Sequence, residues 1–430
     1  MKYLRTMFVV LMAILLSACE VTFADTGAVA KSDLARDTAP AVTASAAHTL
    51  LNDNNAFAFD FYHQVQGSSG NLIYSPYSIS LAAAMLFGGA GGETASQMAD
   101  AMRFTLPPGQ LHPAINALSL DLSKRPEESK KIDRKNPMQL YIANAVWGQQ
   151  DYPFEKDYLD LLAVNYGTGV RVVDFAADPE STRKQINDWV NRATKDKIKD
   201  ILPPGALDPS TRMILANAIY FKAAWEEAFV KKLTSDAPFT LLDGTQIQVP
   251  TMETDGSIPV RVGSGDGYQM VALPYKGNLA EMVIILPDQG GFELVESTLD
   301  AAKFADILDE LSPGDLTLYM PKFEFTDDFD LKQVLSAMGM PLAFDIDNAD
   351  FSGITKSERL YAQQALHKAY VLVNEEGTEA AAASIIIMMP ASLPMPPQEL
   401  RIDRPFIFVI RDVPTGTILF VGRVLNPLDK

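Results

Sequence analysis

The chain has 430 residues, 47% hydrophobic and 21% charged, an ordinary globular balance with length enough for a large core. Its 54 carboxylates against 36 cations give a formal charge of −18, which argues against nucleic-acid binding, because neutralising phosphates needs a basic face. A single cysteine excludes structural disulfides, and four histidines (His48, His63, His112, His367) without His-Glu-x-x-His or Cys/His spacing argue against a metal site, so neither metal nor cofactor is expected.

At the N-terminus, Lys2 and Arg5 precede the apolar run 7–16 and then Ser17-Ala18-Cys19, the layout of an export signal over residues 1–19. The run is too short for an ordinary transmembrane helix. Leu16-Ser17-Ala18-Cys19 resembles the lipobox of bacterial lipoproteins, which implies acylation of Cys19 and a membrane anchor at the cell envelope or surface; the alternative is an ordinary secretory signal with an incidental cysteine. Residues 20–47, rich in Ala, Thr, Asp and Ser without an apolar period, read as a flexible tether. No repeat or linker divides the remainder of the chain, so 48–430 reads as one domain.

Phe57, Phe61 and Val65 recur every fourth position, one buried stripe of an opening helix. Pro76, after Ser75, suits the first turn of an apolar helix over 81–87 that the glycines at 88, 89, 91 and 92 end. That glycine cluster lacks a following Gly-Lys-Ser/Thr and is not a phosphate cradle. The continuous apolar runs 140–147 and 213–221 read as strands covered on both faces, and 186–198 between them carries helical spacing. Short strand-like runs come next at 248–252, 269–275, 281–287, 316–323 and 367–373. Helices early and strands late predict an α+β architecture.

The run at 367–373 leads into Asn374-Glu375-Glu376-Gly377-Thr378-Glu379-Ala380-Ala381-Ala382-Ala383-Ser384. Small residues without fixed dihedrals or polar groups suit a segment that is exposed in one state and buried in another. Taken alone the string fits an Ala-rich helix as well as a strand. With period two, Thr378, Ala380, Ala382, Ser384, Ile386 and Met388 share one face, which carries no proline and no charge. No Gly-x-Ser-x-Gly elbow frames a nucleophile anywhere in the chain, so turnover catalysis has little support.

Glu375 to Ala383 resembles the reactive-centre hinge of the serpin family. Arg404-Pro405-Phe406-Ile407-Phe408-Val409-Ile410 with Gly416 to Pro427 resembles its closing strand pair, and Asn217-Ala218-Ile219-Tyr220-Phe221-Lys222-Ala223-Ala224-Trp225 and Asn71-Leu72-Ile73-Tyr74-Ser75-Pro76-Tyr77-Ser78-Ile79-Ser80 match two further blocks. The resemblance spans roughly 48–430. It implies a single domain with a large central mixed sheet, smaller sheets, eight or nine helices and an exposed loop at about 375–400. It also implies a suicide-substrate inhibitor: a serine protease attacks the loop, and the acyl-enzyme is trapped as the cleaved loop enters the sheet.

The family's spacing, fourteen residues beyond Gly377, places the reactive bond at Ala391–Ser392, with Met388–Met389 second. Proline at 390, 394 and 396 disfavours the bonds before it. Alanine before the cut implies an elastase-like target with a small apolar pocket. The 28 positions from Gly377 to Pro405 make the loop somewhat longer than the family's usual one. By the same resemblance Ser75, Ser78, Asn217 and His367 form a polar latch where the sheet parts, Trp225 lies at the sheet top, and Lys322 pairs with Glu375 there. The expected state is a monomer able to polymerise by loop insertion. A non-inhibitory binding protein of the same fold, or an inhibitor of a cysteine protease, is the alternative.

Overall fold

The computed structural model describes residues 28–378 and 398–430. After a three-residue strand, β1 (Ala28–Ala30), the first helix, α1 (Ala44–Val65), starts at Thr43, whose hydroxyl accepts from the Ala46 N–H, and buries Phe57, Phe61 and Val65. Strand β2 (Leu72–Tyr74) leads to Ser75, whose hydroxyl caps α2 (Pro76–Phe87); Pro76 stands in the first turn, where its missing N–H had no partner to lose, and every residue of the helix is buried. Helices α3 (Gly92–Ala101), α4 (Pro108–Leu122) and α5 (Arg125–Ile132) come after it. Then β3 (Gln139–Gln149), α6 (Lys156–Tyr166), β4 (Val170–Val173), α7 (Pro179–Ala193) and β5 (Met213–Ala224) alternate. The helical spacing read as far as Ile198 stops sooner, because Lys195 and Asp196 take φ of 55° and 63°, left-handed values that a right-handed helix cannot contain.

The C-terminal half is strand-rich: β6 (Ser235–Thr240), β7 (Gln246–Glu253), β8 (Ile258–Gly265), β9 (Tyr268–Pro274) and β10 (Ala280–Pro287) precede α8 (Phe292–Thr298) and α9 (Ala301–Glu310). Next come β11 (Ser312–Pro321), β12 (Phe323–Asp330), α10 (Leu331–Ala337), β13 (Gln364–Asn374) and the two-residue β14 (Gly377–Thr378). Beyond residues 379–397, β15 (Gln398–Arg401), β16 (Phe406–Asp412) and β17 (Ile418–Val424) close the chain.

The strands form a seven-stranded mixed sheet ordered β1-β4-β3-β5-β14-β13-β12 and a second sheet ordered β2-β17-β16-β10-β9-β8-β11-β7-β6, with β15 on β11. This is an α+β fold. In the first sheet β5 is buried on both faces. Ile214, Ala216 and Ala218 pack with Ile186 and Val190 of α7, whereas Leu215, Ile219 and Phe221 join the main core with α2. Two covered faces explain the unbroken apolar run of this strand.

The segment read as a tether is corrected by its described part. Residues 28–30 pair antiparallel with Val172, Arg171 and Val170 of β4; Ser32 Oγ lies 2.5 Å from an Asp160 carboxylate oxygen, and Arg36 Nε donates to Asn116 at 2.8 Å. Residues 44–47 already belong to α1. Edge pairing uses backbone groups that any short strand offers, so composition gave no sign of it.

Candidate functional site: the seam between β5 and β13

Strands β5 and β13 run parallel and pair from Ile214–Gln364 to Ile219–Ala369. Above that zone the chain turns at Glu375-Glu376 and β14 enters between them, Gly377 opposite Ala224 and Asn374, Thr378 opposite Ala223 and Val373, antiparallel to both neighbours. The first sheet is therefore closed below and opened above by two hinge residues. A third strand antiparallel to both would exchange the slanted bonds of a parallel pair for two antiparallel ladders.

Backbone and side chains together hold the entrance. Trp225 N–H donates to the Glu376 carbonyl (2.9 Å), Phe229 N–H to the Glu375 carbonyl (2.8 Å), and Trp225 Nε1 to the Asn374 carbonyl (3.1 Å). The Trp225 indole stacks on Tyr275 with centroids 4.6 Å apart, and Tyr275 OH shares a 2.7 Å hydrogen bond with Thr378 Oγ1. A β-carbon on Gly377 would lie 2.1 Å from the Ala223 carbonyl oxygen, so only glycine permits this approach.

Glu375 is buried beneath this entrance. Thr234 Oγ1 donates to its Oε1 at 2.8 Å, and Lys322 Nζ lies 3.1 Å from both carboxylate oxygens. Burial opposes its charge, but its own N–H, Thr234 and Lys322 outweigh that effect, and the carboxyl sits below the usual glutamate range. Glu376 meets Lys231 Nζ at 2.5 Å.

Lower in the seam, Ser75, Ser78, Asn217 and His367 are brought into one fully buried network. Ser75 N–H donates to His367 Nε2 at 3.0 Å, which leaves Nδ1 to carry the proton and donate across the seam to Asn217 Oδ1. His367 and Asn217 are register partners on β13 and β5, so this bond joins the two strands that an entering strand must part. Asn217 Nδ2 donates to the Ser78 carbonyl (2.5 Å), to Ser78 Oγ (2.8 Å) and to Asn144 Oδ1, and Asn144 Nδ2 returns to the Ser78 carbonyl at 3.1 Å.

Asn144, Lys231, Thr234 and Tyr275 belong to this region and were not read from the sequence. Asn144 had a usable signal: Ala143-Asn144-Ala145 on β3 repeats Ala216-Asn217-Ala218 on β5, and the two asparagines pair in register. The remaining expected residues, Cys19, Glu379 to Ala383, and the bond Ala391–Ser392, lie outside the described residues.

Burial lowers the His367 pKa to about 3, against about 6.5 for an unfolded chain. Between those values the unfolded chain binds a proton that the native protein does not, so native stability falls as pH drops from about 6.5 towards 3. Asp327, raised to about 6 by burial, acts with the opposite sign: its contribution is present at low pH and is lost as pH rises through its folded pKa. Comparison with His367→Gln isolates the imidazole. Between pH 7 and 5 the wild type is expected to lose about 2 kcal/mol more unfolding free energy than the variant, and parallel pH curves from denaturant titrations would contradict this.

Residues 52–427 match the family model described as serpin (serine protease inhibitor). The chain is 38% identical to an uncharacterised serpin-like protein of Thermococcus kodakarensis over 88% of its own length and 86% of that protein. It is 35% identical to the leukocyte elastase inhibitor of Xenopus laevis (86% and 97% covered) and 35% identical to antithrombin-III of Mus musculus (88% and 82%). Among solved structures, it is similar to the thermophilic serpin tengpin in its native state, with a TM-score of 0.80 and 28% identity over 93% of this chain and 99% of that one. Uncleaved ovalbumin gives 0.76 and 27% over 88% and 100%. An α+β body with a hinge seated at the top of a parallel seam, matched along nearly its whole length, places the chain in the serpin family of protease inhibitors.

Proposed function

We propose that the chain is a suicide-substrate inhibitor of elastase-like serine proteases, cut at Ala391–Ser392, which traps the acyl-enzyme by drawing the cleaved loop between β5 and β13. The observation that carries this reading is the position of Gly377-Thr378, already paired with both strands at the mouth of a seam that is closed beneath them. That position supports this path, and the next residues along the inward set, Ala380, Ala382, Ser384, Ile386 and Met388, would bring neither charge nor proline into it. From Thr378 to Ala391 an extended strand covers roughly 45 Å, enough to carry an attached enzyme along a domain of this size. The 35% identity to leukocyte elastase inhibitors supports the target class, as does the alanine before the proposed cut.

The same reading makes the chain a monomer whose seam, once parted, can accept a second molecule's loop. We also propose that it is exported and held at the bacterial envelope through acylated Cys19. Mixing the purified protein with pancreatic elastase and running a denaturing gel tests the inhibitor reading. A covalent band is expected that joins the protease to the chain up to Ala391, with residues 392–430 released as a separate fragment, and cleavage without such a band would contradict it.

A further inference from the structure

We propose that Lys231 and Glu376 form a second clamp on the hinge, separate from Lys322 and Glu375, and that Lys231 is a positioning residue which keeps the loop seated two residues deep in the sheet. The proposal rests on the inhibitor reading for its purpose, but not for its geometry.

The Glu376 side chain is 9% exposed, and apart from the Lys231 ammonium at 2.5 Å its two oxygens have no hydrogen-bond donor among the described residues. A carboxylate so enclosed is tolerable only with its cation in place. Its backbone is fixed at the same time: Glu376 N–H donates to Asn374 Oδ1 at 3.0 Å, and its carbonyl accepts from Trp225 N–H. Both the backbone and the side chain of Glu376 are therefore held while the hinge lies beside β5.

Lys231 opens a single turn of 3-10 helix, Lys231–Leu233, and Thr234, just after it, is the residue that bonds Glu375. One short turn thus grips both hinge carboxylates. The turn is itself anchored, since Val230 N–H donates to the Glu253 carbonyl at the end of β7. Because the hinge holds these contacts only when β14 lies between β5 and β13, the clamp favours the seated hinge over an expelled one. A seated hinge is the first step of strand entry, already taken before any protease arrives.

The test uses hydrogen exchange on the intact full chain without protease, read at the Trp225 and Phe229 amides, whose acceptors are the Glu376 and Glu375 carbonyls. Lys231 has a side chain 63% exposed, so Lys231→Met leaves the core untouched. Exchange at both amides is expected to rise roughly tenfold, less than for a fully enclosed pair because the Lys231 side chain is largely exposed. The swapped pair Lys231→Glu with Glu376→Lys is expected to bring it back towards the wild-type rate. Unchanged exchange in Lys231→Met, or a swap that exchanges as fast as the single variant, would overturn the clamp. Failure of the wild type to form a covalent band with elastase would instead sink the inhibitor reading and leave this result standing.

Discussion

Thr378→Arg is expected to turn the inhibitor into a substrate: elastase still cuts the loop, but covalent complex falls at least a hundredfold. Thr378 is 2% exposed, held between Ala223 and Val373, with its hydroxyl on Tyr275 OH. The Tyr275 phenol is itself buried, which holds its pKa above the ordinary tyrosine value, and it offers a guanidinium no counter-charge. Enclosing an unpaired cation costs several kcal/mol, whereas about 2.7 kcal/mol already corresponds to a hundredfold change. That loss falls on the first step of entry, so the rest of the loop cannot enter before the acyl bond hydrolyses. Thr378→Ser keeps the hydroxyl and the volume nearly intact and is expected to trap as the wild type does. The ratio of covalent band to cleaved product on a denaturing gel reads both variants, and a normal band from Thr378→Arg would show that the hinge does not enter at this point.

Several parts of this arrangement were legible in the sequence because local chemistry announced them. Ser75-Pro76 marked the start of α2 by a cap and a first-turn proline, and the uninterrupted apolar runs of β3 and β5 marked strands covered on both faces. Gly377 stood out in composition, and the structure supplies the reason in the closeness of the Ala223 carbonyl. The contacts between Lys322 and Glu375, and among Ser75, Ser78, Asn217 and His367, could be named only through the family resemblance, because they join positions 53 to 292 residues apart that no periodicity relates.

The parts that escaped the sequence had no local signature or only a faint one. Thr234 and Lys231 are ordinary polar residues in a turn, and their meaning arises only when Glu375 and Glu376 arrive from about 140 residues away. The edge strand β1 is made by backbone bonds, so the small and polar residues from 28 to 43 looked like a free segment while being pinned to β4, α4 and α6. The repeated Ala-Asn-Ala of β3 and β5 was a readable clue to Asn144, since the same tripeptide at the same depth of two neighbouring strands places two amides side by side.

The second large effect concerns the severed chain. In the intact protein β5 and β13 keep only a parallel pairing from Ile214–Gln364 to Ile219–Ala369, interrupted above by the hinge. A cleaved loop that continued β14 downward would replace it with antiparallel ladders on both sides. Ordering about a dozen residues costs on the order of 1–2 kcal/mol each, and their hydrogen bonds return about 1 kcal/mol each, so these terms nearly cancel. The sign is decided by Ile386 and Met388 on the inward set, worth about 1.5–3 kcal/mol apiece when buried, together with the stronger antiparallel pairing. Several kcal/mol of net gain corresponds to an upward shift of about 5 °C for a domain of this size.

The most direct test is therefore a thermal unfolding scan of the protein before and after a single cut in the loop, with the cut mapped by mass spectrometry. The cleaved form is expected to unfold about 5 °C or more above the intact one. Equal or lower heat resistance after the cut would contradict loop entry between β5 and β13, and with it the account of inhibition.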